Sequence, residues 1–154
     1  MDKTELKALY EKLFQYCYSR LSDRDRAEDA VQETFLRFLE HPEYQGSGKE
    51  QQYLYTIARN LCIDAYRRRP HEELAEDVID ESAQDPSHPD RMLLRAILDG
   101  LPEDERELIV LRYVSGLSVR EIASISGVSW FAMNRRIRRI LGKMREQFGK
   151  EESV

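Results

Sequence analysis

Apolar residues recur every three or four positions through most of this chain, and the breaks in that recurrence divide it into helices. Leu6, Leu9, Tyr10, Leu13, Phe14, Cys17 and Leu21 share one side at 100° per residue, predicting an amphipathic helix from Thr4 to about Leu21. A second helix is expected from about Asp23 to Glu40. It opens on acidic residues, which suit the positive end of the helix dipole, and closes before Pro42. His41 to Gly48 reads HPEYQGSG, a loop composition. A third helix runs from Lys49 to about Arg69 and stops at Pro70, whose ring disfavours helical geometry in the residue before it.

Residues 70–88 break the pattern. They are acidic, contain Pro70 and Pro86, and offer only a short helical turn around Leu74 to Ile79, so they read as a linker. Periodicity resumes in Pro89 to Asp99, with Met92, Leu93, Leu94, Ile97 and Leu98 inward. It continues in a helix opening at Pro102, favoured there by Glu103, Asp104 and Glu105, and running to about Val114. Ser118 and Glu121 then form an S-x-x-E capping box for a short helix through about Ile125. Gly127 supplies a turn, and Ser129 caps a longer helix reaching Phe148. A short helix, a glycine turn and a basic helix make a helix-turn-helix. No strand-like alternation competes, so the expected fold is all-α: two small helical domains, 1–69 and 89–154, joined by an acidic linker at 70–88.

Three helix faces stand out. On the last helix Trp130, Met133, Ile137, Ile140, Leu141, Met144 and Phe148 form the core stripe. The opposite side carries Phe131, Ala132, Arg135, Arg136, Arg138 and Arg139, with Asn134 at the border. RRIRR has no acidic partner one turn away until Glu146, so its field is uncompensated, which favours docking in a DNA major groove over a merely solvated face. Phe131 either tucks against the preceding turn or touches bases or sugars, a thymine methyl among them.

On the third helix Leu54, Ile57, Ala58, Leu61, Ala65 and the stem of Arg68 face inward. Thr56, Arg59, Asn60, Ile63 and Arg67 face out, with Asp64 placed to orient Arg68 at i+4. Tyr53, Tyr55 and Tyr66 mixed with basic and amide groups suit melted single strands, whose bases stack on rings. The alternative is a helix packed on both sides, which holds for at least one of these tyrosines. On the second helix Ala27, Val31, Thr34, Phe35 and Phe38 face the core. Asp29, Gln32, Glu33, Leu36 and Glu40 are left outside, a leucine ringed by acids that fits a basic protein partner.

The net charge of −5 conceals segregation. Residues 1–48 carry 7 basic and 10 acidic side chains, 49–69 carry 5 and 2, 70–107 carry 3 and 13, and 108–154 carry 9 and 4, for balances of −3, +3, −10 and +5. Two basic islands flank a stretch that DNA repels, as two DNA-binding modules require. Cys17 and Cys62 lie in apolar helical patterns without metal-ligand spacing and read as reduced core thiols. His41, His71 and His88 are scattered, and there is no G-x-S-x-G, phosphate loop or paired ligand motif; no enzyme, cofactor or small-molecule substrate is expected. No apolar run approaches the length of a membrane span and MDKTELKALYEKL lacks a signal-peptide pattern, so the expected location is the cytoplasm.

Three ordered motifs resemble one family. AEDAVQETFLRFL (27–39) is similar to sigma region 2.2, YLYTIARNLCIDAYRRR (53–69) to regions 2.3 and 2.4, and LPEDERELIVLRYVSGLSVREIASISGVS (101–129) to region 4. There is no region 1.1 or full region 3 domain, the pattern of extracytoplasmic-function sigma factors. The resemblance implies a promoter-specific initiation factor for RNA polymerase, regulated by an anti-sigma factor. By that resemblance Asp29, Gln32, Glu33 and Leu36 bind the β′ coiled coil of core polymerase, and region 4 sits on the β flap. Residues 42–69 capture the melted −10 element, through Arg59, Asn60, Ile63, Asp64, Arg67, Arg68 and Arg69. The helix from Ser129 to Met144 reads the −35 element through Ser129, Phe131, Ala132, Asn134, Arg135, Arg136, Arg138 and Arg139, and the acidic linker threads toward the active-site and RNA-exit channel.

Two departures qualify this. Tyr53 stands where the family usually has Trp. The recognition helix, usually close to G-V-S-x-G-T-V-K-S-R, here reads Gly127-Val128-Ser129-Trp130-Phe131-Ala132-Met133-Asn134-Arg135-Arg136, which keeps phosphate-binding arginines but does not carry over the family's base preference. The rival readings are a sigma mimic that sequesters an anti-sigma factor without touching DNA, and an ordinary helix-turn-helix regulator. The mimic has no need of RRIRR and RRR; the regulator has no need of the 27–39 surface.

Overall fold

The computed structural model describes residues 2–68 and 89–152; Arg69 and the expected linker at 70–88 lie outside the described residues. Helices dominate and no strand occurs among the described residues. The chain divides into two compact units, one built on Met1–Asp77 with Val114–Gly116 and the other on Val78–Tyr113 with Leu117–Val154.

The first unit packs three helices mutually against one another: α1 (Lys3–Leu21), α2 (Arg24–Leu39) and α3 (Glu50–Arg67). Side-chain caps fix where they begin. Asp2 accepts from the Glu5 amide at 2.8 Å, and Asp23 from the Arg26 amide at 3.1 Å, each satisfying a donor that the helix itself leaves open. Between α1 and α2, Ser22 takes a left-handed conformation (φ 56°) and its amide closes on Tyr18 O. The core is formed by Leu13, Tyr16, Cys17 and Leu21 of α1, Ala27, Ala30, Val31, Thr34 and Phe38 of α2, and Leu54, Tyr55, Ala58 and Cys62 of α3. Ala27, Ala30 and Ala58 are small enough for close helix approach, and the Thr34 hydroxyl is satisfied inside by donating to Ala30 O at 2.7 Å.

Tyr55 lies in this core, not on a contact face; it packs edge to face on Tyr16 with centroids 5.6 Å apart, and burial pushes its phenol up to about 12. The two cysteines are buried free thiols, and a hydrogen bond to Cys62, then burial, pushes the Cys17 thiol up. Phe35, expected in the core, is half-buried and stacks on Tyr10 at 6.1 Å, while Leu6 is exposed. The stripe drawn from periodicity is wider than the space two neighbouring helices cover, so its edge residues remain partly in water.

The second unit contains α4 (Pro89–Gly100), α5 (Glu103–Ile109), α6 (Val119–Ser126) and α7 (Trp130–Glu152). The side chains of Met92 and Leu94, expected inward, lie outside the described residues; Ile97 is buried and Leu98 half-buried. Pro102 occupies the capping position of α5 instead of its first turn, and the α-helix ends at Ile109, continuing as a π-helical turn through Val110–Val114. Beyond this turn the chain folds back on it: the Leu117 amide donates to Leu111 O at 3.0 Å, and Arg112 Nη1 to Leu117 O at 3.0 Å.

Candidate functional site

Local capping chemistry sets the geometry of the second unit's helix-turn-helix. Ser118 Oγ accepts from the Glu121 amide at 3.1 Å while Glu121 Oε1 accepts from the Ser118 amide at 3.0 Å, the reciprocal box expected for α6. Gly127 ends α6 at φ 72°. Its amide reaches Ser124 O at 3.3 Å, and the Val128 amide reaches Ala123 O at 3.1 Å, a left-handed helix stop that reverses the chain within two residues. Ser129 Oγ then accepts from the Ala132 amide at 3.1 Å and opens α7.

Met133, Ile137 and Ile140 of α7 are buried, with Leu141, Met144 and Phe148 half-buried behind them. This orientation turns Arg135, Arg136, Arg138 and Arg139 out to solvent, with Ala132 and Asn134 half-buried at the margins and Ser129 exposed at the tip. Lys143, farther along, pairs with Glu105 of α5 at 2.7 Å; among the described residues no such carboxylate meets the four arginines. Their charge is therefore available to a polyanion. Trp130, expected in the core stripe, is instead 43% exposed and Phe131 is 74% exposed, the two rings meeting edge to face at 5.1 Å. Trp130 is the first residue of α7, so the stripe is covered from Met133 onward but not at its first position.

In the first unit, Asn60, Asp64, Arg67 and Arg68 of α3 are exposed, and Arg59 and Ile63 half-buried, so all six described members of the expected −10 set reach the surface of one helix. Asp64 and Arg68 are joined by the main-chain bond from Arg68 N to Asp64 O at 3.2 Å; among the described residues no side-chain ion pair joins them. On α2, Asp29, Gln32 and Leu36 are exposed, Leu36 at 57%, and half-buried Glu33 pairs with Arg37 at 3.0 Å. Leu39, not singled out from sequence, is also exposed and enlarges the apolar anchor. Periodicity treated the α2 and α3 faces as separate. In the fold they meet: Asp29, Glu33 and Arg37 share an open cleft with Leu61, Asp64 and Arg68.

The loop between α2 and α3 holds a feature that composition did not disclose. Pro42–Tyr44 forms a 3-10 turn, and its Tyr44 ring stacks on Tyr53 at 4.2 Å, with Phe38 at 6.3 Å and His41 at 5.0 Å. His41 Nδ1 lies 3.0 Å from Glu43 Oε1, and the Glu43 carboxyl is held below its usual range by its own amide, then by His41. Glu50 is lowered by its own amide, then by that of Gly48, which donates to it at 3.2 Å. Pro42 was the available signal: a proline turn after one helix carries the following aromatic back toward the next. The cluster places three stacked rings at the start of the helix that carries Asn60.

One helical unit presents an uncompensated basic helix after a tight turn, and another presents a polar, aromatic and cationic face, two surfaces with the chemistry that nucleic acid takes. Comparison with known proteins narrows that reading. Residues 6–72 match Sigma-70 region 2, and residues 91–144 match Sigma-70, region 4. The chain is 30% identical to the ECF RNA polymerase sigma factor EcfG of Rhodopseudomonas palustris, covering 99% of this chain and 92% of that protein. It is 32% identical to the ECF RNA polymerase sigma factor SigE of Mycolicibacterium smegmatis over 93% of this chain, but spans 60% of that relative's length. In the structure of the sigma factor RpoE in complex with the anti-sigma factor NepR from Bartonella quintana, RpoE superposes with a TM-score of 0.70 at 29% identity, covering 96% of both chains. The chain belongs to the extracytoplasmic-function sigma factors, the transcription initiation factors that give RNA polymerase its promoter specificity. No described helix is long and apolar enough to cross a membrane.

Proposed function

We propose that the work of initiation is divided among three surfaces of this chain. The domain of residues 1–69 joins core polymerase through Asp29, Gln32, Glu33 and Leu36 and holds melted −10 DNA on Arg59, Asn60, Ile63, Asp64, Arg67, Arg68 and Arg69. The domain of residues 89–154 sits on the β flap and reads the −35 element through Ser129, Phe131, Ala132, Asn134 and the four arginines of α7, with 70–88 linking the two. The observation that carries this reading is the α7 face itself. Four exposed guanidiniums follow a helix stop and a serine cap, among the described residues no carboxylate pairs with them, and a helix presented this way fits the major groove. An anti-sigma factor controls access to these surfaces; the anti-sigma complex of the Bartonella quintana relative supports that assignment. The protein acts in the cytoplasm, where polymerase and promoter are, and catalysis belongs to the polymerase.

The test is reconstitution. Core polymerase plus this chain is expected to initiate from promoters of the source genome that core polymerase alone ignores. Failure on every promoter, with an anti-sigma factor still bound, makes the chain a sequestering mimic; binding to DNA without binding to core polymerase makes it an ordinary helix-turn-helix regulator.

A further inference from the structure

Resting on the assignment of α7 to the −35 element, we infer that Phe131 reads thymine through its C5-methyl group and sets a base preference at the −35 site. The ring is 74% exposed, the most exposed of the large apolar side chains described, so it does not tuck against the preceding turn. It occupies the second position after the Ser129 cap, at the tip of the helix. At 100° per residue Phe131 lies between the azimuths of Arg138 and Arg135, inside the cationic face and toward its Arg138 edge. A helix that enters the major groove tip first puts its first turn on base edges and its later turns on phosphates. The group on the base edges is then a benzyl ring, which can neither donate nor accept a hydrogen bond. The one apolar mark the major groove displays is the thymine methyl.

Trp130 lies against this reader. Its ring meets Phe131 edge to face at 5.1 Å and 87°, an aromatic contact formed in the absence of DNA. Charge selects the occupant: a protein surface apolar enough to cover Phe131 would also have to meet Arg135 and Arg138, whereas DNA supplies phosphates for the cations alongside the methyl for the ring.

The experiment selects −35 sequences from a randomised library with holoenzyme made from wild-type chain, then replaces each selected thymine with uracil, which removes the methyl and leaves the hydrogen-bonding edge intact. At one thymine, uracil is expected to weaken wild-type binding about 4-fold, the effect of a single buried methyl. Phe131→Ala should bind both versions equally at that position, while Arg135→Ala should bind both more weakly yet keep the 4-fold ratio. Because Phe131 is exposed, circular dichroism should show an unchanged fold for Phe131→Ala. The inference is overturned if no thymine is sensitive to uracil, or if Phe131→Ala retains the wild-type sensitivity. Unaltered sequence preference in Phe131→Ala together with lost binding to an anti-sigma factor would assign the ring to a protein contact instead. Enrichment of no sequence at all by wild-type holoenzyme would overturn the −35 assignment of α7 itself, an outcome distinct from selected sites that carry no methyl dependence.

Discussion

Two glycines of the second unit have opposite effects on stability. Gly127 sits at φ 72°, where a Cβ meets nothing within 4 Å but the backbone itself disfavours an L side chain. Gly142 lies inside α7 in ordinary helical backbone, also with open space around it. Gly127→Ala is expected to destabilise the unit by about 1 kcal/mol, and Gly142→Ala to stabilise it by about 1 kcal/mol, read as shifts in the urea midpoint of the second unit's unfolding. Tyr55 gives a residue-scale prediction in the other unit. Burial raises its phenol from 10.0 to about 12, so the fold favours the neutral form. That contribution is complete below pH 10 and is lost as pH rises toward 12. Tyrosinate absorbance should show one tyrosine ionising late, near pH 12, and Tyr55→Phe should remove that late step.

At the scale of the element, α7 and α2 illustrate how one periodic pattern yields both a core face and a working face. In α7 the buried residues Met133, Ile137 and Ile140 fix the roll of the helix, and the arginines follow from it. Arg135→Ala with Arg136→Ala should weaken −35 binding and lower the slope of log affinity against log salt by about 2, one unit for each phosphate contact removed. Unchanged affinity and slope would place α7 off the DNA. In α2, Leu36 and Leu39 project between carboxylates, and Glu33 is held by Arg37 at 3.0 Å on an exposed surface where such a pair contributes little to stability. Leu36→Ala with Glu33→Lys should therefore leave thermal unfolding nearly unchanged while reducing affinity for core polymerase at least 10-fold in a pull-down titration, since the apolar anchor is lost and the rim charge is reversed.

Over the whole molecule, charge is arranged by segment. Residues 49–69 and 108–154 are net basic, and 70–107 carry 13 acidic side chains against 3 basic ones. DNA affinity of the isolated chain should be low at physiological salt and rise steeply when salt is lowered, because each basic island works against a net charge of −5. Fluorescence anisotropy with a promoter duplex across a salt series checks this; an affinity flat in salt would remove electrostatics from the account.

The sequence alone determined most of the helices, the capping of α6 and α7 and the outward arginines of α7. Ser118 and Glu121 bond to each other's amides within four residues, Gly127 takes a backbone that glycine adopts freely, and RRIRR follows from a 100° step; each is local and needs no partner. What only the tertiary structure decided depends on which neighbour covers a side chain. Tyr55 entered the core because α1 brings Tyr16 against it, whereas Trp130, at the first position of α7, stayed partly in water while Met133 one turn on was buried. Tyr44 stacked on Tyr53 because a 3-10 turn folded it back, and Asp29 and Glu33 came to share a cleft with Asp64 and Arg68 because α2 packs on α3. Periodicity fixes direction around one helix axis; the distance between two axes is set by packing, and the contacts that join the α2 and α3 faces live in that distance.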